Sequence, residues 1–248
     1  MAVNYWTAAV LGAVLSPSMQ FRFGAIEWGL SLSGGVVFVL GFLTIMISIQ
    51  KKGLAIPVTL MRLSVIFPVL FSILLWGEAM SPLQLTAFIL TLMTIGAFSI
   101  RDTLPLTVVH IKENWLNIFF LVVVLGTADT ITRALEIYGE PQLFTSYLMI
   151  LFFTAACLTT LLSIKEISKV NMKIIIAGVL LGIPNYFTSH FILKSLQEFD
   201  AVIVFPVFNL AIILISAFIG MVLLKEKLHR YEKIGIALAI PAVILLNL

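Results

Sequence analysis

Charge and cysteine are both scarce in this chain. Only 11% of its 248 residues are charged, three are histidine and one is cysteine. Soluble domains carry about 25% charged residues, so this composition cannot dress a fold for water. The single cysteine, Cys157, lies inside an apolar run, which excludes a disulfide framework and a cysteine-based metal cluster. His110, His190 and His229 are scattered without metal-ligand spacing, and no glycine-rich phosphate loop is present. Neither a cofactor nor ATP as an energy source is expected. The net charge of +3 is small and includes no long basic run, so no nucleic-acid partner is expected either. The opening Met1-Ala2-Val3-Asn4-Tyr5-Trp6 has no basic segment before its apolar stretch and does not read as a cleaved signal peptide.

What the chain has is apolar length. Sixty-one per cent of its residues are hydrophobic, and the mean hydropathy is +1.14. A membrane-spanning helix needs roughly 20 mostly apolar residues. Runs of that kind stand at 3–18, 28–49, 54–76, 82–100, 114–137, 142–163, 174–195, 200–224 and 231–248. With no water in the bilayer core each run must satisfy its own backbone, so helices are expected rather than open strands. Ser81-Pro82-Leu83-Gln84 reads as a helix start, with Ser81 as N-cap, Pro82 first in the helix and Gln84 closing a capping box. The first run is short and ends at Ser16-Pro17-Ser18, so either the protein begins there or a preceding helix is absent from this chain.

Basic residues divide unevenly when nine spans are numbered in order. Lys51, Lys52, Arg101, Lys112, Lys165, Lys169, Lys173, Lys225, Lys227, Arg230 and Lys233 fall on one side, eleven in all. Arg22, Arg133 and Lys194 fall on the other, and Arg62 lies within a run. The positive-inside rule then places the first set in the cytoplasm, with the N-terminus inside and the C-terminus outside.

Two stretches repeat one three-helix pattern. Gly34 lies 148 residues before Gly182, and Glu78 lies 148 residues before Glu226. Each copy has a proline-bearing helix, Pro68 in one and Pro206 in the other, then a glutamate and a final helix. Residue identity between the copies is low, so the match rests on pattern. If the unit holds an odd number of helices, the copies sit inverted, an arrangement typical of secondary transporters.

Leu60-Met61-Arg62-Leu63-Ser64-Val65-Ile66-Phe67-Pro68, followed by Leu75-Trp76-Gly77-Glu78 and Gln84, resembles the fourth and fifth helices of the drug/metabolite transporter superfamily, in its EamA-like branch. Ala201 to Pro206, Gly220, Glu226-Lys227-Leu228 and Gly235 are similar to its ninth and tenth helices. The resemblance implies ten helices in two inverted five-helix repeats that carry amino acids, nucleotide precursors, drugs or other metabolites. The expected fold is therefore an all-α membrane protein of about nine transmembrane helices in two inverted repeats, four helices and then five. The first repeat is expected over 1–104, lacking its first helix, and the second over 105–248.

Six residues are candidates for the cargo site. Arg62 inside a span costs at least about 2.5 kcal/mol, so it faces the bundle interior, as an anion anchor or as a structural partner of Asp129, unless it snorkels to an interface. Asp129 has Arg133 at i+4 on one helical face; it either carries a proton or, the preferred reading, simply pairs with Arg133. Asn185, Ser189 and His190 follow the Gly182-Ile183-Pro184 break and either line a cavity or bridge helices. Asn209 either uses the carbonyl freed by Pro206 or touches cargo. Tyr186 and Trp6 supply aromatic walls or plain packing. Gly34, Pro68, Glu78, Gly182, Pro206 and Glu226 are read as structural, the glutamates capping or orienting the helix that follows each.

The expected function is alternating-access transport of a small metabolite, amino acid or drug through a bacterial inner membrane, coupled to an ion or to the cargo's own gradient. A non-transporting membrane subunit or a transporter fragment is the alternative, and an intramembrane enzyme ranks last. Expected partners are membrane lipid and a small-molecule cargo, with a homodimer left open.

Overall fold

The computed structural model describes residues 1–16, 23–52, 61–99, 115–223, 225 and 228–248. Among them are nine α-helices and no strand: α1 (Ala2–Leu15), α2 (Ala25–Lys52), α3 (Ile66–Trp76), α4 (Pro82–Ser99), α5 (Trp115–Tyr138), α6 (Phe144–Leu162), α7 (Met172–Glu198), α8 (Ala201–Val222) and α9 (Arg230–Leu246). Short 3-10 turns at Pro141–Leu143 and Ile164–Lys169 flank α6. The nine apolar runs each hold one of these helices, and the protein is an all-α membrane protein. Five segments of the described chain are long and apolar enough to cross a bilayer: Ala25–Gln50, Pro82–Ser99, Pro141–Leu162, Met172–Glu198 and Ala201–Val222. Their outer faces stay apolar, as Leu180 on α7 and Phe218 on α8 illustrate, and lipid rather than water suits such a surface.

The helix start at Pro82 forms as its sequence dictates. The Ser81 amide donates to Gln84 Oε1 at 3.0 Å, and the Gln84 amide donates to Ser81 Oγ at 3.2 Å. The run over 54–76 departs from expectation. Its residues 54–60 lie outside the described set, and a turn at Ser64 and Val65 separates a helical stretch at 61–63 from α3. Pro68 is the cause: its ring has no N–H for the Ser64 carbonyl and crowds it. That carbonyl accepts instead from the Phe67 amide at 3.0 Å, while Ser64 Oγ donates to the Met61 carbonyl at 2.7 Å. Pro184, by contrast, makes no break, because α7 runs unbroken through it.

Two compact units divide the helices. The first takes Met1–Leu43 and Thr127–Glu198. Within it α1 packs against α6 and α7 around Tyr5, Ala8, Tyr147, Phe152 and Tyr186. Small residues allow that approach: a Cβ on Gly182 would stand 2.6 Å from the Asn4 carbonyl oxygen, and one on Gly34 would stand 2.8 Å from Leu151 Cδ1. The second unit takes Thr44–Gly126 and Phe199–Leu248. Within it α4 lies along α9, with α8 against both and against α3, around Ala87, Leu210, Ala239, Ala242 and Leu246.

Candidate functional site

The polar side chains of the first unit gather where α1 meets α7. Asn185 Nδ2 donates to Asn4 Oδ1 at 3.1 Å, joining the two helices through a pair of buried or half-buried amides. One turn on, Ser189 Oγ donates to the Asn185 carbonyl at 3.3 Å. These two residues share a face by their i, i+4 spacing. Their polar groups are therefore engaged within the protein, one between helices and one along α7.

A second row, displaced by one residue, behaves differently. Tyr186 and His190 stack with ring centroids 5.9 Å apart and planes 19° from parallel. Tyr186 is fully buried, and neither its hydroxyl nor His190 Nδ1 has a hydrogen-bond partner. Phe152 of α6 lies 6.3 Å from the Tyr186 ring and Phe187 lies 5.5 Å from it. Tyr5 closes the cluster on the α1 side, stacking on Phe152 and donating its hydroxyl to the Phe38 carbonyl at 3.1 Å. Buried polar groups are nearly always hydrogen-bonded; Ser31 Oγ and Ser72 Oγ are buried without a partner too, but only in the Tyr186–His190 row do two such groups lie together among the described residues. Trp6 is part exposed and donates its indole N–H to Thr160 Oγ1 at 3.0 Å, so its polar edge is occupied.

The expected Asp129–Arg133 pair does not form. Arg133 Nη1 pairs with Glu136 and also donates to the Leu196 carbonyl near the end of α7, at 3.2 Å. A tertiary acceptor on α7 has drawn the guanidinium toward the C-terminal end of α5 and away from Asp129. Asp129 itself is part buried on α5.

The remaining candidates lie in the second unit. Arg62 is part buried in the helical stretch just before the Ser64–Val65 turn, so it borders a break rather than the middle of a helix. Asn209 is buried and donates Nδ2 to the Phe205 carbonyl at 3.0 Å. Pro206 frees the carbonyl four residues before it, at Val202, so Asn209 does not use that carbonyl as expected. Glu78 corrects another expectation. It caps a helix other than the expected one: Oε2 accepts from the Val202 amide at 3.1 Å in the first turn of α8. Its reach comes from Gly77, whose left-handed backbone (φ 70°) ends α3 and returns the Glu78 amide to the Ser72 carbonyl. Glu226 lies outside the described residues.

Sequence reasoning gave no site role to Asn4 or Glu136. Asn4 is an isolated amide in an apolar helix, which is itself a signal. Glu136 was legible at i+3 from Arg133.

Comparison with known proteins now bears on these features. The model of the EamA-like transporter family matches residues 114–248. A protein of Haemophilus influenzae, named as uncharacterized, is 23% identical over 215 residues, which span 86% of this chain and 72% of that protein. A solved crystal structure aligns with 100% of this chain and 87% of its own, at a TM-score of 0.74 and 17% identity, a likeness of fold. The chain belongs to the EamA-like transporter family and is an integral, multi-pass membrane protein, as its sequence resemblance implied.

Proposed function

We propose, from that family membership, that the chain is a carrier rather than an enzyme. It moves a small metabolite, amino acid or drug across a bacterial inner membrane by alternating access, driven by an ion or by the cargo's own gradient. The observation that carries this reading is the Tyr186–His190 row, whose buried hydroxyl and ring nitrogen lack partners on a helix that crosses the bilayer. Unpaired polar groups at that depth are costly and mark cargo pathways. Asn4 and Asn185 hold α1 and α7 in register beside it.

The two halves, 1–104 and 105–248, are proposed as inverted copies. Features of this structure that recur 148 residues apart support the duplication. Helices α4 and α9 begin at Pro82 and Arg230. The Ser81 amide is taken by Gln84, and the His229 amide by Glu232. Gly77 and Lys225 both have left-handed backbones. An alternating-access cycle needs two such related halves around a mid-membrane site.

The test is flux. Purified full-length protein in proteoliposomes, loaded with a panel of metabolites, is expected to exchange at least one of them. Tyr186→Phe is expected to cut that flux about tenfold, as losing one hydrogen bond to a bound ligand implies. No flux for any panel member, with the protein correctly inserted, overturns the proposal.

A further inference from the structure

We infer that the Tyr186–His190 site takes an uncharged, hydrogen-bonding cargo and discriminates against its charged analogues; the inference rests on reading α7 as the cargo-binding helix. The polar groups of α7 fall into two classes. Asn185 and Ser189 are engaged by Asn4 and by the Asn185 carbonyl. Tyr186 and His190 keep a phenol hydroxyl and Nδ1 without partners. A phenol donates, and a neutral imidazole nitrogen donates or accepts according to its tautomer. Their complement is a group with both a carbonyl-type acceptor and an N–H or O–H donor, such as a carboxamide, a urea or the edge of a nucleobase.

Charge stands away from the Tyr186 end of this locus. The rings in contact with Tyr186 are those of Phe152, Phe187 and His190, within an apolar buried cluster. Arg133 and Glu136 engage one another and the end of α7 at Leu196. Lys194, two turns beyond Tyr186 and one beyond His190, reaches the imidazole by its charge, but its side chain is exposed. A carboxylate or ammonium brought to the buried hydroxyl would lose its hydration without an opposite charge beside it, whereas an amide would exchange water for two hydrogen bonds. Aromatic neighbours add a surface for a planar cargo body.

Three probes that share one ring and differ in charge separate the cases: benzamide, benzoate and benzylammonium. The full-length protein, ¹⁵N-labelled at histidine in lipid nanodiscs, has three histidines, and the His190 resonances are identified by their loss in His190→Gln. Benzamide is expected to shift them saturably, with both ions at least tenfold weaker. Tyr186→Phe, which keeps the ring and removes only a hydroxyl without a partner, is expected to fold and to weaken benzamide at least tenfold. The inference falls if either ion binds as well as benzamide, if benzamide leaves His190 unmoved, or if Tyr186→Phe binds unchanged. Flux in proteoliposomes with equal binding of the ions overturns this inference alone. Selective binding of benzamide without flux for any panel member overturns the carrier reading alone.

Discussion

Arg133 shows how one residue's pairing is settled by tertiary structure. Both Asp129 and Glu136 lie within its reach along α5, and helical side chains lean toward the N-terminus, a geometry that favours Asp129. The Leu196 carbonyl on α7 reverses that preference, because one guanidinium nitrogen serves Glu136 and Leu196 together. Removing only the cation takes the Arg133 guanidinium away from Glu136, itself only 16% exposed. Arg133→Met is therefore expected to cost about 3–5 kcal/mol, and Arg133→Met with Glu136→Leu markedly less. Thermal unfolding in detergent measures both, and equal losses would show that the pair itself is not the source. Lys225 offers a prediction of opposite sign. Its φ of 54° lies in the left-handed region that glycine occupies freely, as Gly77 does at φ 70°. Lys225→Gly is expected to stabilise by about 1 kcal/mol, read as a raised unfolding temperature.

At the scale of helices, termini and crossings decide what is legible. Glu78 was readable as a cap, but its helix was not, since the amide it accepts from belongs to Val202, 124 residues away. Only the left-handed turn at Gly77, combined with packing of α8 against α3, brings the two together. Glu78→Ala is expected to lower stability by about 1 kcal/mol, and Glu78→Gln by less, because the amide oxygen still accepts. A thermal shift equal for both variants would deny the capping role. The capping box at Ser81 was legible because all its partners lie within four residues. The break before α3 follows from Pro68, while the equally central Pro184 leaves α7 intact, so a proline's position alone does not say whether a helix yields. Gly182, like Gly178, carries a tight part of the α1–α7 crossing, where an added Cβ would stand 2.6 Å from α1. Gly182→Ala is expected to cost about 1–3 kcal/mol, because the new methyl meets a main-chain oxygen that cannot step aside. A wild-type unfolding temperature for that variant would mean the helices separate more readily than their contact implies.

For the whole molecule, hydrophobic length was the strongest signal and charge distribution the next. Span positions followed from runs of about 20 apolar residues, but the membership of each compact unit did not. Each unit draws on both halves of the chain, so that α1 meets α6 and α7, and α4 meets α9. No local pattern encodes such partners. Neither could sequence say that Asn4 completes the polar face at Asn185, 181 residues away. Orientation is a global property that the bias of the basic residues toward one set of connections predicts. Glu140 precedes the Pro141–Leu162 span and Lys165 follows it, and both are exposed. The eleven-to-three distribution predicts Lys165 in the cytoplasm and Glu140 outside. Cys157 is the chain's single cysteine, so Cys157→Ala supplies a background for introduced thiols. In that background, a membrane-impermeant maleimide added to spheroplasts is expected to label Glu140→Cys at once and Lys165→Cys only after lysis. The reverse order would show that orientation does not follow these charges. Labelling of both from the same side would contradict the span between them, since a helix that crosses the bilayer once must leave its two ends in different compartments.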